Sequence, residues 1–397
     1  MTTNTTPSGL RPVIAFIGYR NAGKSSLLNC MVNQEISIVS EELGTTTDAV
    51  MKAYELIPAG PVTFYDTAGL DDVGTLGEKR VKATEKIIKR ADIIVYVIGK
   101  EGLDGVIEEK LRQMNIDGTK FIPVFNFADC TQLDKYNQAI LQLYHGIRVS
   151  AKTKEGIEEL KNRLVEILTK DKQPDPLVAD LVEPKDVVVL VTPIDLAAPK
   201  GRLILPQVQV IRELLDSNTI VMTTKVSELE TTLGSLKKHP KLVITDSQAV
   251  KEVSAIVPSS IPLTTFSMLF ARAKGNFEQM YHAVNSVQYL EDNSKILIAE
   301  GCSHHLTCDD IGRVKIPMLL QKYTGKKLNI EFVSGIDFPE DLSDYALVIH
   351  CGGCMLNQAE ITRRLNECRK KNIPITNYGM LISLTQGVLT RVAEPLL

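Results

Sequence analysis

Short apolar runs of strand length alternate with helical periodicity along most of the chain. In the N-terminal part, strand patterns cover residues 12–18, 62–66, 92–99 and 120–126, and a helical pattern covers 154–170. This alternation is typical of doubly wound α/β domains with parallel sheets.

A proline-containing polar stretch at residues 171–186 interrupts the pattern. Proline is disfavoured in helix interiors and central strands, so this stretch is predicted to be a linker. A second alternating run follows, with strands predicted at 186–195, 218–224 and 241–246 and helices at 206–216 and 226–238.

A third block begins near residue 267 with helical periodicity that continues to residue 290. It continues with strands predicted at 295–300, 328–335 and 345–350 and helices at 314–323 and 356–372. We therefore predict three α/β domains, over residues 1–172, 173–264 and 265–397, with the middle domain serving to form a homodimer.

The composition places limits on partners and location. The 397 residues carry a formal net charge of -3, which does not indicate a nucleic-acid or membrane-surface binder. Residues 1–12 lack the features of a secretory signal, and no window reaches the roughly 18 apolar residues that span a bilayer. We expect a cytoplasmic protein with neither nucleic acid nor membrane as partner.

The segment GYRNAGKS, residues 18–25, follows a predicted strand and opens a helix, as a phosphate-binding loop requires. Backbone N–H groups of such a loop turn towards phosphate oxygens, and the helix N-terminus adds a favourable dipole. Lys24 would neutralise the terminal phosphates and Ser25 would ligate Mg²⁺. The residues expected at the phosphates are Asn21, Ala22, Gly23, Lys24, Ser25 and Ser26.

Two further segments complete a site for phosphoryl transfer to water. DTAG, residues 66–69, supplies Asp66 as a carboxylate that contacts Mg²⁺ directly or through a water, and Gly69 as a backbone sensor of the γ-phosphate. LGTTTD, residues 43–48, supplies Thr46 as a second Mg²⁺ ligand. Together with Lys24 and Ser25, these residues predict a GTPase.

The base is predicted to be recognised by NFAD, residues 126–129, and SAK, residues 150–152. Asp129 can accept two hydrogen bonds from guanine that adenine cannot make, so GTP and GDP are favoured. The expected contacts are Asn126, Asp129, Ser150, Ala151 and Lys152. This set resembles that of G domains, in which a lysine stands where this chain has Phe127; the aromatic ring could stack on the base, or affinity could be lower.

Two details resemble the TrmE and Era branch of G domains. Leu70 stands where Ras-like proteins place a water-orienting glutamine, and Asn21 accompanies a GTTTD switch segment. The resemblance implies that Asn21 ligates K⁺ and that potassium stimulates hydrolysis. The alternative is that Asn21 only caps the loop.

Cysteine and histidine are concentrated near the C-terminus. CSH, residues 302–304, and HCGGC, residues 350–354, each follow a predicted strand, so their loops should meet at one sheet edge. Thiolates from Cys302, Cys351 and Cys354 favour an iron–sulfur cluster or zinc, and the ligand count does not separate the two. A redox dithiol of the two CxxC cysteines is a further option. Candidates for a fourth ligand are His304, His305, His350, Asp309 and Asp310.

A TrmE-like G domain followed by an α/β segment and a CxH…HCxxC domain resembles the HydF family of [FeFe]-hydrogenase maturation GTPases. The resemblance implies a [4Fe–4S] cluster on Cys302, Cys351 and Cys354 with a labile fourth position, contacted by a histidine (His304 or His350) or by another nearby group. It also implies a scaffold that accepts a diiron precursor from radical-SAM maturases and delivers it to the hydrogenase apoprotein. The alternative is an RNA- or ribosome-linked GTPase with a structural Cys₃His zinc site.

Overall fold

A computed structural model describes residues 11–32, 50–72, 74–116, 119–170, 176–193, 203–301, 310–335, 337–339, 341–353 and 356–397. The predicted site residues Thr46, Cys302, His304, His305, Asp309 and Cys354 lie outside these ranges. The chain forms two compact units, Met1–Gln173 and Pro174–Leu397.

The first unit is built on a six-stranded sheet of order β2-β3-β1-β4-β5-β6. Its strands are β1 (Val13–Ile17), β2 (Val50–Leu56), β3 (Gly60–Asp66), β4 (Ile93–Ile98), β5 (Phe121–Phe125) and β6 (Ile147–Arg148). Its helices are α1 (Lys24–Val32), α2 (Gly74–Arg90), α3 (Gly105–Ile116), α4 (Lys135–Leu143) and α5 (Ile157–Lys170). All strand pairs are parallel except β2 with β3. Strands β1 and β4 are buried along their whole length, as apolar central strands covered on both faces must be.

The second unit contains two four-stranded parallel sheets. The first has the order β10-β9-β7-β8 and is formed by β7 (Val187–Val191), β8 (Ile220–Thr224), β9 (Leu242–Thr245) and β10 (Leu263–Thr265). Its helices are α6 (Leu205–Asp216), α7 (Leu229–Gly234), α8 (Val250–Ile256) and α9 (Phe266–Lys274).

The second sheet of this unit has the order β12-β11-β13-β14. It is formed by β11 (Lys295–Ala299), β12 (Asn329–Val333), β13 (Leu347–His350) and β14 (Ile375–Asn377). Its helices are α10 (Phe277–Ala283), α11 (Ile316–Thr324), α12 (Gln358–Lys370), α13 (Tyr378–Thr385) and α14 (Leu389–Ala393).

One hydrophobic core joins the two sheets of the second unit. Val243 and Val253, from the first of these sheets and its helix α8, belong to the same buried cluster as Ile298 and Val348 from the second. The predicted α/β class with parallel sheets is thus confirmed. A domain boundary at residue 264 stays a prediction, since the core continues across it.

The helical pattern predicted through residues 267–290 is interrupted in the structure. Helix α9 ends at Lys274, Gly275 follows as its C-cap, and the Asn276 side chain accepts the Gln279 backbone N–H to start α10. Glycine and asparagine favour the end and the start of helices respectively, which explains the break. Among the helices of the described residues, none has both the length and the hydrophobicity needed to cross a bilayer.

Candidate nucleotide site and cysteine centre

The loop between β1 and α1 has the backbone conformation of a phosphate-binding loop. Asn21 and Gly23 have φ angles of 58° and 86°. A Cβ on Gly23 would lie 2.2 Å from Nδ2 of Asn126, so only glycine fits there. The Lys24 side chain is buried, and its Nζ donates to the carbonyls of Gly18 at 3.1 Å and Tyr19 at 2.8 Å. Carbonyl groups of the loop itself therefore hold the ammonium group of Lys24.

Lys24 and Asp66 form the charged centre of this site. Burial lowers the pKa of Lys24, while Asp66 acts in the opposite direction. Burial raises the pKa of Asp66, opposed by its hydrogen bond to Ser25 and by Lys24. Within the described residues, the buried Oδ1 of Asp66 has no hydrogen-bond partner. An unsatisfied carboxylate oxygen next to a serine hydroxyl fits Mg²⁺, which prefers oxygen ligands.

The DTAG segment is attached directly to the phosphate-binding loop. Thr67 Oγ1 donates to the Phe16 carbonyl at 2.8 Å, and the Leu70 N–H donates to the Gly18 carbonyl at 3.2 Å. A Cβ on Gly69 would lie 2.5 Å from Cγ of Arg20. Gly69 is thus held against the loop, and its contact with the γ-phosphate stays a prediction.

A group of ion pairs that sequence reasoning missed also joins the phosphate-binding loop to the residues after DTAG. The Arg20 backbone N–H donates to Oδ1 of Asp71 at 2.7 Å, and the Arg20 guanidinium pairs with Asp71 and Asp72. Arg80 also pairs with Asp72. The sequence does contain the opposite charges: an arginine in the phosphate-binding loop, and two acidic residues shortly after DTAG.

The two segments that are predicted to recognise the base contact each other. Asn126 Nδ2 donates to the Ala22 carbonyl at 3.0 Å, and its Oδ1 accepts the N–H of Ala151 at 3.4 Å. Ser150 Oγ donates to Oδ1 of Asp129 at 2.7 Å. Asp129 is exposed while Ser150 is buried. The buried hydroxyl therefore orients the carboxylate of Asp129 at the protein surface.

The cysteine loop after β13 meets the loop after β11. These strands are neighbours in parallel register, with Ala299 opposite His350. The Gly301 N–H donates to Sγ of Cys351 at 2.9 Å, and the Gly353 N–H donates to the same sulfur at 3.4 Å. Gly301 directly precedes Cys302 in the sequence.

Two backbone donors on one sulfur stabilise a thiolate, the form that binds a metal or a cluster. Cys351 therefore fits the predicted ligand set. Among the described residues no group of three histidine, cysteine or acidic side chains is close enough to hold a metal ion. Cys302 and Cys354, the other two predicted ligands, lie outside those residues.

Both ring nitrogens of His350 are hydrogen-bonded. Nδ1 lies 2.7 Å from the Cys351 carbonyl oxygen and Nε2 lies 3.2 Å from Nη1 of Arg364. Because a guanidinium can only donate, Nε2 accepts and Nδ1 carries the hydrogen. Burial, with Arg364 nearby, lowers the pKa of His350 to about 4, so the ring is neutral. This geometry disfavours His350 as a fourth ligand.

A buried charge network that sequence reasoning missed lies behind His350. Arg364 is 0% exposed, and its Nε donates to Oε1 of Glu360 at 2.7 Å. Its Nη2 donates to the Gly335 carbonyl at 2.6 Å, and its guanidinium lies 5.1 Å from the Phe338 ring centroid. The sequence does show Glu360 four residues before Arg364 on one face of α12, a spacing that brings two side chains together.

A second cation reaches the cysteine loop from helix α9. Nζ of Lys274 donates to the carbonyls of Gly353 at 3.2 Å and Leu356 at 3.0 Å. Asp310, one of the predicted candidates for a fourth ligand, is buried and its Oδ1 accepts the Arg313 backbone N–H at 2.8 Å. Lys274 therefore holds the backbone of the cysteine loop, while Asp310 is hydrogen-bonded to the backbone of its own segment.

The fold and these residues define a P-loop GTPase whose nucleotide-binding unit is followed by an α/β unit with a cysteine site at a sheet edge. Residues 177–275 match the hydrogen maturase F dimerization domain and residues 278–395 match the hydrogen maturase F tetramerization domain. Residues 13–127 match the 50S ribosome-binding GTPase family. The chain belongs to the hydrogen maturase F, or HydF, family, and the resemblance found in the sequence is confirmed.

Relatives of the nucleotide-binding unit include tRNA modification GTPases. The MnmE protein of Legionella pneumophila (strain Paris) is 35% identical over 163 residues, which are 40% of this chain and 35% of the relative. MnmE of Carboxydothermus hydrogenoformans is 36% identical over 171 residues, 42% of this chain and 36% of the relative. The chain thus spans about a third of the length of these relatives.

Solved structures with a similar arrangement include a variant of Aquifex aeolicus Era bound to GDP.AlF4-. It is 20% identical, with a TM-score of 0.33, and the match covers 54% of this chain and 92% of that one. The G domain of the T. maritima FeoB iron transporter is also 20% identical, with a TM-score of 0.31, over 40% of this chain and 98% of that one.

Proposed function

We propose that this protein is a GTPase that acts as scaffold and carrier for the diiron subcluster in [FeFe]-hydrogenase maturation. The observation that carries the proposal is the 2.9 Å hydrogen bond from the Gly301 N–H to Sγ of Cys351. It joins Gly301, the residue before the predicted ligand Cys302, to the predicted ligand Cys351. The two HydF matches, over residues 177–275 and 278–395, support the same conclusion.

In the nucleotide-binding unit, each predicted site residue would have its own task. Lys24 neutralises the terminal phosphates of GTP. Ser25 and Thr46 would hold Mg²⁺, with Asp66 contacting the ion directly or through a water, and the ion would offset the charge that develops on the phosphates. The backbone of Gly69 contacts the γ-phosphate, and Asn21 contributes to a K⁺ site. These groups act by positioning and by electrostatic stabilisation, which dominate phosphoryl transfer.

In the second unit, Cys302, Cys351 and Cys354 would hold a [4Fe–4S] cluster. Such a cluster would leave one iron without a cysteine ligand, and an exchangeable group at that position would let a second metal unit dock. The protein contributes N–H donors from Gly301 and Gly353, which tune the charge on the Cys351 sulfur. With His350 bonded at both ring nitrogens, we assign the fourth position to His304 or to an exchangeable external ligand.

The partners we propose are radical-SAM maturases, the hydrogenase apoprotein and a second copy of this chain. Nucleotide state would alter affinity for these partners by a coupling free energy of about 1 to 3 kcal/mol. Assembly through the region of residues 177–275 agrees with its match to a dimerization domain.

Metal analysis of anaerobically purified protein tests the cluster. Wild type should contain about four iron and four sulfide per chain, with broad visible absorption. Cys351→Ala should lose most of the iron. Cys130→Ala is the control, because Cys130 is an exposed cysteine in the first unit. A colourless wild type that contains zinc would instead support the ribosome-linked GTPase with a structural zinc.

GTP hydrolysis is tested separately on the same preparations. Lys24→Ala should abolish GTP binding without lowering the iron content, because Lys24 lies in the first unit and the cluster cysteines in the second. Wild type that binds iron but does not turn over GTP would overturn the enzymatic half of the proposal alone.

A further inference from the structure

The base-recognition segment departs from the usual G-domain pattern at Phe127. Its φ angle is 66°, a left-handed conformation that bulky side chains rarely adopt. The Phe127 N–H donates to Oδ1 of Asn126 at 2.8 Å, and its carbonyl accepts the N–H groups of Cys130 and Thr131, each at 3.0 Å. The segment therefore fixes the backbone at Phe127 and, with it, the direction in which the Cα–Cβ bond leaves the chain.

That direction takes the ring to the phosphate-binding loop. A Cβ on Gly23 would lie 3.4 Å from Cζ of Phe127. A nucleotide with its phosphates at Lys24 and its base at Asp129 must pass between these two residues, and Phe127 lies next to that path. The ring is half-buried, so one part of its surface remains available to a ligand.

The strand next to β5 brings a lysine to the same place. Strands β4 and β5 are parallel, with Ile98 opposite Phe125, and this register continues when the Asn126 N–H donates to the Ile98 carbonyl at 3.0 Å. Two residues beyond the end of each strand, Lys100 lies beside Phe127. Nζ of Lys100 is 4.9 Å from the centroid of the Phe127 ring, within the range of a cation–π interaction.

We propose that Lys100 and Phe127 together form the wall of the guanine nucleoside pocket that a single lysine forms in other G domains. Phe127 supplies the flat surface against the base and sugar, and Lys100 supplies the positive charge from the segment that follows β4. The proposal rests on the GTP binding proposed above. It makes Lys100, which lies outside every nucleotide-binding motif, a determinant of nucleotide affinity.

A double-mutant cycle on GDP affinity, measured by isothermal titration calorimetry with the full chain, tests the pair. Lys100→Met should weaken GDP binding about three- to fivefold, the scale of an exposed cation–π contact. Phe127→Ala should weaken it about tenfold, the scale of a lost base-stacking contact. Phe127→Lys restores the usual lysine, and in that background Lys100→Met should change the affinity by less than about 1.5-fold.

Lys79→Met is the matched control, since Lys79 is an exposed lysine on α2 and its loss changes the net charge equally. It should leave GDP affinity unchanged. The proposal is overturned if Lys100→Met binds GDP as wild type does, or if it weakens binding equally in the wild-type and Phe127→Lys backgrounds. Failure of the underlying GTPase assignment would look different, because wild type itself would then not bind GDP.

Discussion

Nη1 of Arg364 lies 3.2 Å from Nε2 of His350, inside a core where neither side chain is more than 2% exposed. The histidine in turn lies 2.7 Å from the carbonyl oxygen of Cys351. Arg364, a buried charge on α12, thereby fixes the His350 ring, and this ring holds the backbone of the cysteine loop. Arg364 acts on the proposed cluster site as a positioning residue, through His350.

Replacing Arg364 by methionine should destabilise the second unit by about 3 kcal/mol, the lower end of the range for breaking a buried ion pair. The lower end applies because Glu360 keeps a second partner, Arg363, at 2.8 Å. Urea unfolding followed by circular dichroism measures the change. Arg369→Met, at an exposed position of the same helix, should stay within about 0.5 kcal/mol of wild type. Equal midpoints for the two variants would show that the buried pair contributes no net stability.

The sequence predicts the elements of this fold where apolar pattern and turn chemistry agree. The residues before Lys24 could be assigned because the strand, the glycines and the helix start follow one another without a gap. Strand β2 (Val50–Leu56) was not predicted, because it is an edge strand whose side chains are largely exposed or half-exposed. Such a strand lacks the clean alternation that a half-buried strand shows.

Potassium should stimulate GTP hydrolysis if Asn21 ligates the ion. We expect kcat in KCl to exceed kcat in NaCl at equal ionic strength by at least about tenfold, since one electrostatic contact to the transition state is worth this much or more. Asn21→Ala should remove the difference. Asn115→Ala, at an exposed position on α3, should retain it. Equal wild-type rates in the two salts would leave Asn21 as a loop cap.

We predict that a second copy of this chain binds at the outer edge of β8. This strand ends the sheet order β10-β9-β7-β8, and Ile220 on it is 52% exposed. An exposed apolar residue on an edge strand favours association with another chain. Ile220→Glu should halve the particle mass measured by light scattering. Val106→Glu, which changes a similarly exposed residue of the first unit, should not. The same mass for Ile220→Glu and wild type would place the interface elsewhere.

The cysteine site could be predicted in outline and not in detail. Parallel neighbouring strands bring the loops after β11 and β13 together, and the sequence spacing was sufficient for that. The partners of His350 could not be foreseen, because they depend on how α12 packs against β13. A histidine next to a ligand cysteine was therefore a reasonable candidate ligand from sequence, although Arg364 occupies its ring nitrogen in the fold.

Cys368 lies on the buried face of α12, four residues after Arg364. Burial raises the pKa of its thiol from 9.0 to about 12, and Glu367 acts in the same direction. Because the thiolate is the reactive form, Cys368 should alkylate about 1000-fold more slowly at pH 8 than an ordinary thiol. Iodoacetamide labelling followed by peptide mass spectrometry measures this, with the exposed Cys130 as the internal reference.

The raised pKa of Cys368 also makes the free energy of unfolding fall as the pH rises. Between pH 9 and about pH 12 the folded chain keeps the Cys368 proton while the unfolded chain loses it, so this group's contribution to stability falls as pH rises through that window. Cys368→Ala should therefore flatten the loss of stability above pH 9, whereas Cys130→Ala should not. If Cys368 alkylates as fast as Cys130 in the folded protein, α12 does not protect it, and the buried network beside it opens in solution.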